Sequence, residues 1–245
     1  MRINKKNINE KYNLIISIIF AFFPLALIAG NFIVNVNILI FCLFSFYYLR
    51  YEILKFKFNI PLKIIFIFFI TVFVSTLLNY IISIYYNESN LEHYPTHKDN
   101  LNLLIKSFLY FRFLIFLLII HILIYKKFLD LKYFLYSSAC CVFLISLDII
   151  YQYFYGYNIL GFENYLRFNS SFFNDEHVAG GYLQNFCFFL IFSIFYLFKE
   201  KRIFVFFLTL ITISILGSAI LLSGNRMPLL LFMLGLFALI LLFPK

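Results

Sequence analysis

Tryptophan is absent from the 245 residues, and glycine and proline number only 8 and 5. So few chain breakers exclude a collagen-like chain and a low-complexity, linker-rich one. Charge is also scarce: charged residues make up 13%, against roughly a quarter in an ordinary globular protein. A soluble fold has too few polar side chains here to cover a chain that is 64% hydrophobic. The four cysteines, Cys42, Cys140, Cys141 and Cys187, fall inside apolar runs and lack the spacing of metal ligands. They read as packing or lipid-facing residues, and neither a disulfide framework nor a metal site is expected.

What fills the chain instead is apolar bulk, with 37 Phe and 19 Tyr. Apolar runs fall at about 14–30, 32–49, 62–86, 103–125, 131–155, 182–198, 203–223 and 228–243. Each is near or above the roughly 17–25 residues that cross a bilayer as a helix. The predicted fold is therefore all-α, a polytopic membrane bundle of about eight transmembrane helices forming a single integral membrane domain over residues 1–245. The first run follows a basic leader but has no small-residue cleavage pattern, so it is expected to stay as a span.

The net charge of +9 does not point to nucleic acid, because the basic residues form short clusters between apolar runs rather than one stripe. Counted by alternate loops, one side receives only Lys98, Arg167 and Arg226, Lys106 and Arg112 lie within the fourth run, and the other side receives the rest. The positive-inside rule then places both termini of the expected inner-membrane bundle in the cytoplasm. The opposite, outer side carries the loops 87–102 and 156–181 and a tight turn at 223–227.

The unusual polar residues gather on that outer side. Asp148, Gln152, Gly156 and Asn158 lead into a stretch from Arg167 through Asn174, Asp175, Glu176 and His177 to Gly181. A second stretch, Ser223-Gly224-Asn225-Arg226, plants an arginine at the start of the last run. His93 and His97 are separated by Pro95 and read as surface residues, and His121 lies toward the cytoplasmic end of its run.

At these two stretches the chain resembles the O-antigen ligase and polymerase family, membrane glycosyltransferases of lipopolysaccharide and other cell-envelope polysaccharide biosynthesis. The first stretch is similar to the family's Arg-x-x-(Gly/Ser)-x-Phe-x-(Asp/Asn)-(Glu/Pro) pattern; here it runs from Arg167 to Glu176, with one extra residue after the arginine. The second is similar to the family's Ser-Gly-(Glu/Ser)-Arg turn before an apolar helix, with Asn225 at the third place. The likeness spans about 140–240. It implies a polyprenyl-diphosphate-linked glycan as donor, membrane lipid and lipid-linked glycan as partners, and no cofactor. Arg167, Arg226, Asn174, Asp175 and Gln152 are then expected to bind substrate, and Glu176 or His177 to act as general base. Family members continue into further helices and an outer loop bearing another arginine and a histidine. This chain alone is therefore expected not to catalyse transfer, and a downstream chain is the partner that would supply them.

The residue types suit that chemistry. A diphosphate leaving group gathers negative charge, and arginine offers fixed, planar donors for phosphate oxygens. An acceptor hydroxyl attacking an anomeric carbon gains from a nearby base. Plainer roles compete: the two arginines as interfacial anchors, residues 174–176 as a helix cap, and the whole chain as a lipid-linked glycan transporter or a non-catalytic remnant. Within the spans, Arg112 and Asp148 are expected to form a buried ion pair, because lone charges there cost about 2.5–3.5 kcal/mol each on the insertion scale.

Overall fold

The computed structural model describes residues 5–50, 59–86, 97–163, 168–173, 176–198 and 200–242. Nine α-helices are seen among them: α1 (Lys5–Ala21), α2 (Phe23–Ala29), α3 (Asn31–Leu49), α4 (Ile60–Tyr86), α5 (His97–Tyr125), α6 (Leu131–Tyr155), α7 (Ala179–Leu197), α8 (Arg202–Leu222) and α9 (Arg226–Leu242). Helices follow directly from the composition. Inside a bilayer every backbone N–H and C=O must be satisfied within the protein, and a helix does this without a partner strand.

Among the described residues seven stretches are long and apolar enough to span, Lys11–Ala29 running from within α1 through α2. The chain is a multi-pass membrane protein with an all-α bundle. The eighth expected span is shorter: α9 has 17 described residues, about 25 Å at 1.5 Å per residue, against a core of about 30 Å. The first run is also divided where sequence periodicity shows it as continuous. Pro24 lies in the first turn of α2, and its missing N–H and fixed φ favour a new helix start over a continuous α1. Gly30, at φ 110°, forms the joint to α3 in a conformation that side chains resist.

The chain groups into two compact units, Met1–Ile16 with Ile38–Leu129, and Ser17–Asn37 with Asp130–Lys245. In the first, α4 packs along α5. Their seam is aromatic, with Phe73 edge-on to Phe111 at 5.8 Å and Phe69 tilted against Phe111 at 6.1 Å. One polar clasp joins the same two helices: the Thr76 hydroxyl donates to Ser107 Oγ at 2.8 Å. The rest of α4 is largely exposed, as expected of a helix bathed in lipid tails.

The second unit holds the better-packed core. α6 packs on α7 and α8, α9 packs on α7 and α8, and α2 lies on α6. Ile145 and Ile149 of α6, Leu183 and Ile191 of α7, Leu216 and Ile220 of α8, and Phe232 of α9 are fully or almost fully buried. The Tyr182 hydroxyl donates to the Pro24 carbonyl at 3.0 Å, which fixes α2 against α7. α6 starts from Asp130, whose carboxylate accepts the Lys132 N–H at 3.0 Å as an N-cap, and ends at Gly156 in the left-handed region, φ 81°. That glycine ends the helix and turns the chain into the loop that carries the polar residues.

Candidate functional site

Asp148 and Gln152 are four residues apart on α6 and so share a helix face. Both are fully buried, and both reach up into the loop. Asp148 Oδ1 accepts the Ile159 N–H at 2.9 Å and Oδ2 accepts the Ser171 hydroxyl at 2.6 Å. Gln152 Oε1 accepts the Ser171 N–H at 2.8 Å. Asn158 completes the set: its amide donates to the Ser171 carbonyl at 2.7 Å and its oxygen accepts the Phe162 N–H at 2.7 Å.

Ser171 is therefore held at its N–H, its hydroxyl and its carbonyl by three different side chains. It sits in the left-handed backbone region, φ 54°, which costs a non-glycine residue about 1–3 kcal/mol. The three buried hydrogen bonds offset that strain. They also fix where the chain goes next, into a 3-10 turn over Ser171–Phe173 and then α7.

The far side of this loop is tied to the turn between α8 and α9. The Asn169 amide donates to the Leu222 carbonyl at 2.6 Å, and the Asn225 amide donates to the His177 carbonyl at 2.7 Å. At Gly180 a Cβ would run into Ser223 Oγ and come within 3.3 Å of Ser223 Cβ, so a side chain there would force the serine to shift. The Phe168 ring lies 4.1 Å from the His177 ring, centroid to centroid. The two stretches are thus hydrogen-bonded to each other, across 48 residues of sequence, at one end of the unit.

The expected site residues fall as follows. Arg226 is the first residue of α9 and is exposed, and Glu176 and His177 are exposed on the approach to α7. Arg167, Asn174 and Asp175 lie outside the described residues, as does His93. Phe168, next to Arg167 in sequence, and Asn225, next to Arg226, both touch His177. Gln152, expected to bind substrate, instead has no exposed surface and serves the loop backbone. α7 begins at Ala179 behind Val178, a side chain that cannot accept a hydrogen bond, so the cap expected from residues 174–176 is not in the N-cap position.

Asp148, expected to need Arg112, has both carboxylate oxygens satisfied inside its own unit by a backbone N–H and a hydroxyl. Arg112 belongs to the other unit, where its guanidinium lies over the Phe113 ring at 4.8 Å and its Nε is buried without a hydrogen-bond partner. Sequence reasoning missed Ser171 and Asn169 as structural pins, because a serine in a polar loop carries no mark of a left-handed backbone. Comparison with protein-family models, curated proteins and solved structures finds no match to the chain.

Proposed function

We propose that this protein binds a polyprenyl-diphosphate-linked glycan at the outer face of a bacterial cytoplasmic membrane, both termini facing the cytoplasm, and serves its transfer or polymerisation into cell-surface polysaccharide. The observation that carries this reading is the Asn225 to His177 hydrogen bond, which joins the two arginine-bearing stretches. Arg226 is exposed beside that bond, and Phe168, which follows Arg167 in sequence, lies against the same histidine.

The roles follow from the residue types. Arg167 and Arg226 hold the diphosphate oxygens, each through paired N–H donors, and so stabilise the charge that builds on the leaving group. An acceptor hydroxyl attacks the anomeric carbon, and the bond from that carbon to the diphosphate oxygen breaks with its electron pair. The hydroxyl proton passes to Glu176 or His177, whose exposed side chains suit a group that must meet an incoming acceptor. Asp148, Gln152 and Asn158 take no part in the chemistry; they set the height and course of the loop.

The test is selective binding. The purified chain in lipid nanodiscs is titrated with polyprenyl diphosphate and with polyprenyl monophosphate. The proposal expects at least about tenfold tighter binding of the diphosphate, the equivalent of about one charge-assisted hydrogen bond. Equal affinity for the two would overturn it.

A further inference from the structure

Residues 157–162 form a short closed loop at the end of α6, and its tip points apolar side chains outward. Ile159, Leu160 and Phe162 are 65%, 64% and 41% exposed. No charged residue occurs from 149 to 162. The loop is also braced: Tyr157 and Glu163 form an antiparallel bridge, the Asn158 N–H donates to the Phe162 carbonyl at 2.9 Å, and the Gly161 N–H donates to the Asn158 carbonyl at 2.9 Å. Asp148 accepts the Ile159 N–H and so holds the tip's backbone from below.

The height of the loop says what covers it. α6 has 25 residues, about 37 Å at 1.5 Å per residue, and so overshoots a hydrocarbon core of about 30 Å by about 7 Å. Lys132 marks the boundary at the opposite end, in the first turn. At a span's usual tilt of about 20° about 5 Å of that overshoot remains, which puts the last turn of α6 and the loop in the headgroup layer. Aromatic side chains crowd there: the ring of Tyr151 stacks on Tyr155 at 4.4 Å and meets Tyr157 edge-on at 6.0 Å, while Tyr153 and Phe154 are exposed. Tyrosine at this depth is the composition of a membrane interface, with an apolar ring and a wet hydroxyl.

We infer that the tip Ile159–Phe162 inserts into the glycerophospholipid bilayer at the boundary between headgroups and acyl chains, as a monotopic anchor built onto the end of a span. The inference depends neither on which face of the membrane this is nor on the glycan reading. Its consequence is mechanical. One carboxylate, Asp148, holds both the anchored tip through Ile159 and the site loop through Ser171, so the bilayer surface sets the level of that loop.

The absence of tryptophan allows a direct test. Leu160→Trp and Ile159→Trp each create a single-tryptophan chain, with retained far-UV circular dichroism as the folding control. Each full chain is placed in phosphatidylcholine and phosphatidylglycerol vesicles and quenched in turn by acyl-brominated lipid and by aqueous iodide. The expected result is strong quenching by brominated lipid and an iodide quenching constant several-fold below that of free tryptophan amide. Iodide quenching equal to the free amide would show the tip in water. Protection from both quenchers would show it covered by protein. Either result overturns the inference, and if one variant does not fold the other gives the same reading.

Discussion

The hydroxyl of Ser171 donates to the buried carboxylate of Asp148 at 2.6 Å while the serine backbone holds φ 54°. A strained residue persists only where its surroundings over-determine it. Here the surroundings are side chains from α6 and the loop above it, so the α6 face dictates the path of the chain toward α7.

Asp148→Ala should therefore destabilise the second unit strongly. It leaves the Ile159 N–H and the Ser171 hydroxyl without their acceptor, and bonds to a charged group are worth about 1.5–3 kcal/mol each. Asp148→Asn keeps one acceptor oxygen and should cost less than the alanine change. Thermal unfolding in detergent, with protease cleavage in the loop 156–178 as a local readout, distinguishes the two. Equal stability of wild type and Asp148→Ala would contradict the pinning role.

The tie between loop and turn makes a chemical demand on Asn225. Its partner is a carbonyl, which can only accept, so residue 225 must donate. Asn225→Asp should loosen the 176–182 backbone more than Asn225→Ala, because a carboxylate repels the oxygen it faces. Hydrogen–deuterium exchange over those residues measures this, and the expected local cost is about 0.5–1.5 kcal/mol for the alanine variant.

Gly180→Ala should cost about 1–3 kcal/mol by overpacking. The added Cβ would meet Ser223 Oγ and approach Ser223 Cβ to 3.3 Å. A second change, Ser223→Gly, removes both atoms, so the double variant should recover most of the loss in a double-mutant cycle read by thermal midpoint. Additive costs would mean that the two residues do not press on each other.

The spans were legible because an apolar run of bilayer length has one good solution, a helix. The runs at 131–155 and 203–223 match α6 and α8 to within a residue. The roles of the polar residues were less legible. Gln152 and Asp148 stood out as polar amid apolar neighbours, which signals a need for partners without naming them. Gln152 meets a backbone N–H, and Asp148 meets an N–H and a hydroxyl. Those partners lie 11 to 23 residues away in sequence, behind a turn whose geometry depends on the same bonds. The pairing of the 167–177 and 223–226 stretches was suggested by their common side of the membrane, and Asn225 supplies the bond that periodicity could not reveal.

In the proposed function, Arg167 and Arg226 grip one diphosphate through paired guanidinium donors. Arg167→Lys and Arg226→Lys keep the charge but lose the fork, and lysine binds phosphate only as a point charge. The deciding measurement is the dissociation constant for polyprenyl diphosphate of the two lysine variants beside wild type, in nanodiscs at fixed ionic strength. Each variant is predicted to bind about tenfold or more weakly, the loss of at least one charge-assisted hydrogen bond. Wild-type affinity in both variants would contradict the account.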